Sequence, residues 1–269
     1  MIDPRDGLRR TVRKLRRLAD PMVPPARLSG AAGGGGGDFV QIGDDFFLLF
    51  RRAGLSPTND VLDVGCGYGR MARPLAGWLG GRYEGFDVVP EAIEWCRSRI
   101  TPRHPNFHFT QLDLANDVYN PDGGESAAAV RFPYEGDSFD FALLASVFTH
   151  LVPAELLHYL DELARVVRVG GTVFATYFLL DPEVEGALSD GLAWRPLPDL
   201  ETDAELGEYR LADRGAPSTA VAYRRDAIEA AHARRALEID AVWPGRWGGR
   251  RGDSVTAHDV VVSRVRSSR

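Results

Sequence analysis

A short apolar strand that runs directly into a glycine-rich loop constrains the fold of this chain more than any other feature. Residues 61–69 read Val-Leu-Asp-Val-Gly-Cys-Gly-Tyr-Gly, and a helical pattern follows them. Glycines remove the side chains that would keep a ligand away from the backbone, and the first turn of a helix presents N–H groups to that ligand. The segment therefore predicts a strand, a loop and a helix that together bind a ligand at close range.

The spacing of these glycines disfavours a dinucleotide cofactor. A Gly-x-Gly-x-x-Gly fingerprint that begins at Gly65 requires glycine at position 70. The chain has Arg70 there, and Gly69 stands one residue earlier. An NAD-dependent oxidoreductase is for this reason the least favoured of the functions considered.

Short apolar runs and helical segments alternate after residue 60, which is typical of repeated β-α-β units and a mostly parallel sheet. The predicted strands are Val61–Val64, Arg82–Asp87, Phe107–Leu112, Phe139–Ala145, Thr172–Tyr177, Glu238–Trp243 and Thr256–Val265. The predicted helices are Asp38–Arg52, Met71–Leu79, Pro90–Ile100, Ala154–Arg168 and Arg225–Leu237. The last two strands are close enough in sequence to pair as an antiparallel hairpin.

A basic N-terminal segment precedes one predicted catalytic domain. At 269 residues the chain can bury one substantial core. Residues 1–38 combine a basic amphipathic helix with a proline- and glycine-rich linker that is predicted to lack regular structure, and residues 39–269 form the domain. Residues 181–222 break the alternation, and we interpret them as an insertion over the carboxyl edge of the sheet, where loops build substrate sites. The basic helix either packs on its leucine stripe or contacts an anionic acceptor, partner or membrane surface.

The composition favours an enzyme that acts on small molecules inside the cell. A formal net charge of −6 argues against a dedicated nucleic-acid binder. The two cysteines, Cys66 and Cys96, are too few for a disulfide framework and lack the spacing of a zinc site. No apolar stretch approaches the roughly 18 to 20 residues that cross a bilayer. We therefore expect a cytoplasmic protein with reduced thiols and no transmembrane segment.

Two acidic residues end the strands that follow the glycine loop. Asp87 ends the second predicted strand, where a carboxylate can accept hydrogen bonds from two ribose hydroxyls. Asp113 ends the third strand, where it suits the amino group of an adenine, with Leu114 beside the ring. One acid at a strand end is as often a helix cap, but two acids in register with a glycine loop predict a cofactor that contains adenosine.

These residues resemble the class I S-adenosylmethionine-dependent methyltransferase superfamily, from about residue 39 to residue 265. The resemblance is carried by the glycine loop with Asp63, the acids Asp87 and Asp113, the fourth strand at 138–144 and residues 162–171 before the fifth strand. In the last of these segments, Val169 stands where the superfamily usually has proline. The resemblance implies a Rossmann-like, open seven-stranded α/β sheet, mostly parallel with an antiparallel last strand and with helices on both faces.

The same resemblance implies S-adenosylmethionine as the cofactor. Together with the patterns above, it gives the predicted cofactor-binding residues Asp63, Gly65, Cys66, Gly67, Gly69, Asp87, Val88, Asp113, Leu114 and Ser146. Three further segments, 119–121, 131–134 and 146–151, resemble a bacterial branch whose members often occur with glycan or secondary-metabolite biosynthesis. This narrower resemblance implies a small-molecule or sugar-containing acceptor.

Methyl transfer to a hydroxyl needs a base that removes the proton as the new bond forms, and histidine suits this role near neutral pH. His150 directly follows the fourth predicted strand, so we predict it as the catalytic base; the alternative is a helix cap or a histidine hydrogen-bonded in the core. His104 and His108 have helical metal spacing, but prolines interrupt their segment, and no metal site is predicted. His158 and His232 are expected at the surface or in packing.

The acceptor site is less well defined by sequence. Tyr119 and Asn120 lie in a loop that can fold over the acceptor, although Asn-Pro also forms turns. The aromatic residues that either line an acceptor pocket or pack in the core are Trp194, Tyr209, Trp243 and Trp247. The favoured function is O-methylation of a small or sugar-containing acceptor. The alternatives are N- or C-methylation and a catalytically silent cofactor-binding protein.

Overall fold

A computed structural model describes residues 20–29, 38–193, 196–249, 254 and 256–267. Its centre is a seven-stranded sheet in the order β10-β11-β5-β4-β1-β2-β3. These strands are β1 (Val61–Val64), β2 (Tyr83–Asp87), β3 (Phe107–Gln111), β4 (Phe139–Leu144), β5 (Val167–Tyr177), β10 (Leu237–Trp243) and β11 (Asp259–Val265). Neighbouring strands are parallel except at β11, which runs antiparallel to both β5 and β10. The predicted fold class, including the antiparallel last strand, is confirmed.

The central strands are apolar on both sides because helices cover both faces of the sheet. The helices are α1 (Ala26–Ser29), α2 (Phe39–Arg52), α3 (Ala72–Leu75), α4 (Pro90–Arg99), α5 (Pro153–Val166), α6 (Pro182–Ser189) and α7 (Arg225–Arg234). Side chains of α2, α3 and α4 join a core on one face, and side chains of α5 and α7 join a core on the other. Successive residues of β1 alternate between them, with Val61 in the first core and Leu62 in the second.

Three helices are shorter than the sequence predicts, and the backbone gives the reason in each case. Helix α3 stops at Leu75 because Ala76 is extended and Gly77 has φ +84°. Helix α5 stops at Val166 because Val167 pairs with β4 as the first residue of β5. Helix α7 stops at Arg234, two residues before Ala236 adopts φ +54°. Helix α2 begins as predicted, with the Asp38 carboxylate capping its first N–H groups.

Residues 181–222 contain most of a second, four-stranded sheet that the sequence does not predict. Its order is β6-β9-β8-β7, and its strands are β6 (Leu179–Leu180), β7 (Asp199–Asp203), β8 (Gly207–Leu211) and β9 (Val221–Arg224). A 3₁₀ turn, Pro217–Thr219, precedes β9. The backbone N–H of Val221 donates to the carbonyl of Thr149. The second sheet is therefore joined to the segment that follows β4, at the carboxyl edge of the main sheet.

Part of the predicted N-terminal linker has regular structure. Residues 26–29 form one helical turn, Pro24 is buried, and Asp20 forms an ion pair with Arg73 at 3.5 Å. This corrects the prediction that the whole proline-rich stretch is irregular. The basic helix predicted in the first 20 residues and the glycine run at 33–37 lie outside the described residues, apart from Asp20. In the part of the chain that is described, no helix combines the length and the apolar character needed to cross a bilayer.

The segment 131–134, one of those that resemble a bacterial branch, is held by an ion pair on α5. Glu162 accepts a hydrogen bond from the N–H of Phe132 at 2.7 Å and is paired with Arg165, which donates to the carbonyls of Phe132 and Tyr134. The ring of Phe132 packs on Phe86 at the end of β2. This segment therefore has a structural role beside the sheet.

His232 links α7 to the sheet through two buried hydrogen bonds. Its Nε2 is 2.8 Å from the hydroxyl of Tyr177 on β5, and its Nδ1 is 2.8 Å from the hydroxyl of Ser263 on β11. Burial, aided by the charge of Arg235, lowers the pKa of His232 to about 3. The ring is therefore neutral in the folded protein, and His232 has one of the two roles predicted for it, packing.

We predict that His232 makes the fold sensitive to mild acid. The unfolded chain protonates this histidine near pH 6.5 and the folded chain only near pH 3, so stability is lost as the pH falls through this window. Between pH 7 and pH 5 the loss from this residue is about 2 kcal/mol. Urea unfolding of His232→Gln should show a correspondingly smaller pH effect, whereas the control His108→Gln, at an exposed position, should behave as wild type. Equal pH effects in His232→Gln and wild type would contradict the assignment.

Candidate active site

A pocket opens at the carboxyl ends of β1, β2 and β4. In an open α/β sheet this edge, at the point where the strand order reverses, is where ligands bind. The predicted residues that line the pocket are Gly65, Cys66, Gly67, Asp87, Val88, Ser146, His150 and Tyr119. The lining residues that the sequence did not single out include Phe39, Tyr68, Arg70, Met71, Val89, Asn116, Val147 and Tyr159. Most predicted cofactor residues and the predicted base therefore share one cavity.

The glycine loop follows β1 and requires glycine for steric reasons. Gly65 has φ +72°, and a Cβ at this position would lie 2.6 Å from Cγ2 of Val147. Gly69 has φ +78°, and its Cβ would lie 2.5 Å from Cδ1 of Ile100. Gly69 thus packs the loop closely against the end of α4. It does not line the pocket, although a contact with the cofactor was predicted for it.

Asp87 joins the end of β2 to the glycine loop. Its Oδ2 accepts a hydrogen bond from the N–H of Gly67 at 2.7 Å, and its Oδ1 accepts one from the N–H of Val89 at 2.9 Å. Burial raises the pKa of Asp87, and these N–H donors oppose the rise. Each carboxylate oxygen has a second lone pair, so Asp87 can accept hydrogen bonds from two neighbouring hydroxyls, as a ribose would supply.

Asp63 lies behind the loop and does not line the pocket. It is 1% exposed and accepts a hydrogen bond from the hydroxyl of Tyr83 on β2. Burial is the main reason that the pKa of Asp63 is raised to about 8; the Tyr83 hydrogen bond opposes this rise, and the neighbouring Asp87 contributes to it. Direct contact between Asp63 and a cofactor was predicted. The structure instead gives this side chain a contact within the sheet, because the residue lies inside β1 rather than after it.

Asp113 and Leu114 are also outside the pocket. The carboxylate of Asp113 accepts hydrogen bonds from the side-chain amide of Asn120 at 3.1 Å and the N–H of Gly124 at 3.2 Å. Leu114 is buried in the core, and its backbone pairs with Glu125. The loop after β3 therefore folds back on itself and holds the carboxylate of Asp113, for which binding to adenine stays a prediction. The side chain of Asn120 thus holds this loop closed, whereas Tyr119 lines the pocket.

His150 follows β4 and lies in the same cavity as the glycine loop. Its Nδ1 donates to the backbone carbonyl of Ser218 at 2.8 Å. Because a carbonyl oxygen only accepts, Nδ1 carries the proton and Nε2 has the lone pair of the neutral ring. The ring of Tyr119 packs edge-on against His150, with a centroid distance of 5.6 Å and an interplanar angle of 85°. The imidazole is thus held in one orientation and one tautomer.

The 3₁₀ turn that orients His150 is itself fixed by the loop after β3. The Asp117 carboxylate accepts hydrogen bonds from the N–H of Ser218 at 3.2 Å and from the Ser218 hydroxyl at 3.1 Å. In the same loop, Oδ1 of Asn116 accepts hydrogen bonds from the N–H of Val118 and the N–H of Tyr119. Two separate segments, 116–119 and 217–219, therefore meet at the base.

Ser146 adopts a backbone conformation that is rare for a residue with a side chain. It has φ +67° directly after β4, and its N–H donates to the hydroxyl of Thr176 on β5 at 2.7 Å. Positive φ at a non-glycine residue is unfavourable and tends to occur at functional positions. Ser146 lines the pocket, so this strained turn brings the end of β4 into the site, and its hydroxyl lies 3.3 Å from Nδ1 of His258.

The aromatic residues considered for an acceptor pocket have packing roles. Trp247 is fully buried and donates from Nε1 to Asp259 at 2.6 Å. Trp243 contacts Phe174 and lies beneath the guanidinium of Arg52. Tyr209 stacks on Tyr223 of the second sheet. Of the two alternatives, the structure favours core packing for these three, and Trp194 lies outside the described residues.

The remaining candidate ligands do not form a metal centre. Within the described ranges, no group of three or more histidine, cysteine or acidic side chains is arranged to hold a metal ion. Cys66 and Cys96 are both buried, and neither is in a disulfide. The thiol of Cys96 donates to the carbonyl of Gly67 at 3.4 Å, so this residue supports the loop from behind.

Comparisons with known proteins agree with the fold. Residues 61–171 match the family model for a methyltransferase domain. Methyltransferase GfsG from Streptomyces halstedii is 30% identical over 53% of this chain and 44% of that protein. Sterol 24-C-methyltransferase erg6 from Schizosaccharomyces pombe is 28% identical over 48% of this chain and 30% of that protein. The matches thus span less than half the length of these curated relatives.

A solved structure extends the similarity over most of the chain. An S-adenosylmethionine-dependent methyltransferase from Methanosarcina mazei is 19% identical and aligns with a TM-score of 0.54 over 82% of this chain and 98% of that one. Residues 61–171 are thus similar to a methyltransferase domain, and the chain has the fold of S-adenosylmethionine-dependent methyltransferases. These comparisons support the predicted superfamily and its cofactor, S-adenosylmethionine.

We predict that Asp87→Asn weakens binding of S-adenosylhomocysteine about 10- to 100-fold. An amide has one acceptor oxygen, whereas the carboxylate has two. The variant therefore cannot accept hydrogen bonds from the two backbone N–H groups and also from the ribose hydroxyls. Hydrogen bonds to charged groups contribute about 1.5–3 kcal/mol. Isothermal titration calorimetry measures the effect. The control is Glu84→Gln on the same strand, where the carboxylate faces Arg82 and His108. Binding by Asp87→Asn within twofold of wild type would rule out the assigned contact.

Proposed function

We propose that the protein is an S-adenosylmethionine-dependent methyltransferase that methylates an oxygen of a small-molecule or sugar-containing acceptor. The observation that carries this proposal is the orientation of His150. Its Nδ1 donates to the Ser218 carbonyl, which leaves Nε2 as the basic nitrogen of a ring in the same cavity as Asp87 and the glycine loop. A base in that position has a use when the acceptor must lose a proton.

The pocket residues fit the parts of the cofactor. Asp87 has the acceptor capacity for ribose hydroxyls, and the absence of side chains at Gly65 and Gly67 lets a ligand lie against the backbone. S-adenosylmethionine supplies an electrophilic methyl group on a sulfonium. Transfer requires an acceptor lone pair in line with that methyl, so the main task of the protein is alignment.

His150 serves as the general base in this scheme. Nε2 accepts the proton of the acceptor hydroxyl as its oxygen becomes the nucleophile, and the hydrogen bond to Ser218 stabilises the imidazolium that forms. The edge-on contact with Tyr119 also restricts the ring of His150. Asp117 acts one step further away, because it fixes the turn that carries the Ser218 carbonyl.

Two alternatives remain compatible with the same pocket. A carbon or nitrogen acceptor does not need His150 as a base in the same way, and one relative is named for methylation of a sterol carbon. A protein that binds the cofactor without catalysis would keep Asp87 and the loop but transfer nothing. The exclusion of nucleic acid as an acceptor and the location in the cytoplasm stay predictions from the sequence.

We predict that His150→Gln lowers the turnover number at least about 100-fold, since general base catalysis contributes about 10²- to 10⁴-fold. Glutamine can keep a hydrogen bond to the Ser218 carbonyl but cannot take up a proton. The assay is transfer of an isotope-labelled methyl group to panels of hydroxyl, amine and carbon acceptors, with cofactor binding measured in parallel. Turnover of a hydroxyl acceptor within threefold of wild type would exclude His150 as the base, and transfer confined to carbon or nitrogen acceptors would favour the alternative.

We predict a smaller effect, about 3- to 10-fold on the turnover number, for Asp117→Asn, because the turn loses one of its two acceptors and His150 loses its fixed orientation. The affinity for S-adenosylhomocysteine should not change. In steady-state kinetics across a pH series, the limb of the pH–rate profile that reports the base should also be displaced in this variant. Asp122→Asn, an exposed acid in the same loop, is the control. Identical pH profiles for Asp117→Asn and wild type would show that Asp117 does not act through His150.

A further inference from the structure

Asn116 places a side-chain amide in the pocket, and the site described so far does not use its N–H donors. The residue is half-buried and lines the cavity. Its Oδ1 accepts hydrogen bonds from the N–H of Val118 at 3.1 Å and the N–H of Tyr119 at 3.0 Å. Because two N–H groups point at one atom, that atom is the amide oxygen, and the orientation of the amide is fixed. Nδ2 then carries two donors, and no atom of the described residues accepts a hydrogen bond from it.

The amide lies on the side of the pocket where the base is. Tyr119, whose N–H binds Asn116, packs its ring on His150 at a centroid distance of 5.6 Å. The next residue, Asp117, binds Ser218, whose carbonyl accepts the hydrogen bond from Nδ1 of His150. The glycine loop is held by separate hydrogen bonds at the end of β2. One set of contacts therefore positions both the amide and the imidazole, on the acceptor side of the cavity.

A donor beside the base is useful on a second oxygen of the acceptor rather than on the attacking one. The attacking oxygen gives its proton to His150 and a lone pair to the methyl carbon, and a hydrogen bond from an amide would draw electron density away from the bond that forms. An oxygen on the adjacent carbon takes no part in bond formation. As a hydroxyl or as a carbonyl, it has lone pairs that can accept from an amide N–H. A site with such a donor discriminates against acceptors that leave the donor unpaired.

We propose that Asn116 selects acceptors with an oxygen on the carbon next to the methylated hydroxyl, the class that comprises vicinal diols and α-hydroxy carbonyl compounds. Nδ2 donates to that second oxygen while His150 takes the proton of the first. This inference rests on the proposed function, since it needs a hydroxyl acceptor and His150 as the base. Asn116 is in this scheme a specificity-determining residue, which binds the acceptor and moves no proton.

The experiment compares acceptors in pairs that differ by the second oxygen. The pairs are catechol with phenol and cis-1,2-cyclohexanediol with cyclohexanol, assayed by transfer of an isotope-labelled methyl group. Asn116→Asp and Asn116→Ser each keep an oxygen for the turn but lack the amide donor. The preference for the dioxygenated member, in kcat/KM per hydroxyl, should be about 3- to 10-fold greater in wild type than in either variant, the effect of one neutral hydrogen bond.

The matched control is Gln111→Glu, which makes the same change from amide to carboxylate at an exposed position before the loop. Its preference within each pair should equal that of wild type. The affinity for S-adenosylhomocysteine, measured by calorimetry, should be the same in all four proteins, because the amide is assigned to the acceptor.

Each other outcome overturns the inference in a distinct way. Equal preferences in wild type and both Asn116 variants would show that the amide does not bind the second oxygen. A loss of the same size for both members of a pair would place the amide on the attacking oxygen, and a clear loss of S-adenosylhomocysteine affinity would assign it to the cofactor. These results leave the proposed function standing. A wild type that binds S-adenosylhomocysteine but methylates no hydroxyl acceptor would refute the proposed function and this inference with it.

Discussion

Strand β1 is the constraint on which the rest of the structure depends. All four of its residues are buried, and it pairs with β2 on one side and β4 on the other. A strand in that position must be apolar on both faces, and its end must lie at the centre of the sheet edge. The glycine loop that follows is therefore held between the ends of β2 and β4. The hydrogen bond from Gly67 to Asp87 fixes its distance from β2.

The electrostatics of the pocket follow from this central position. Three ionisable side chains lie close to the end of β1, and they differ in their hydrogen-bond partners. Asp87 accepts hydrogen bonds from backbone N–H groups. Asp63 accepts a hydrogen bond from the hydroxyl of Tyr83 and has a raised pKa. Arg70 has no hydrogen-bond acceptor among the described residues. A folded protein tolerates an unpaired buried charge at a cost of stability. Asp87 and Arg70 thus place an acidic and a basic side chain in the lining of one pocket.

The sequence predicted the main sheet well because its signals are local. Each parallel strand is a short apolar run, and the topology brings the ends of such strands together, so Asp87, Ser146 and His150 were expected at one edge. The failures have a common cause in non-local pairing. The Asp113 carboxylate accepts hydrogen bonds from Asn120 and Gly124 of its own loop and lies outside the pocket, which no strand pattern predicts. Arg70 was visible in the sequence only as a departure from the dinucleotide fingerprint, since its lack of a partner depends on how distant segments pack.

The second sheet was missed for the same reason, and its position has a consequence for specificity. Strand β6 pairs with β9, and the chain between them forms α6, β7, β8 and the 3₁₀ turn. The buried carboxylate of Asp259 holds the start of this unit by accepting the N–H of Leu179. The turn before β9 then supplies the carbonyl that orients His150.

The cofactor side of the pocket is thus built from the main sheet, whereas the orientation of the base depends on the inserted one. Residues 61–171, which match the methyltransferase domain model, contain the first part and end before the second begins. Changes within the inserted sheet can therefore alter the geometry around His150 while the glycine loop and Asp87 keep their contacts. A single cofactor-binding core can in this way be combined with different acceptor sites, because the two parts of the pocket are held by separate hydrogen-bond networks.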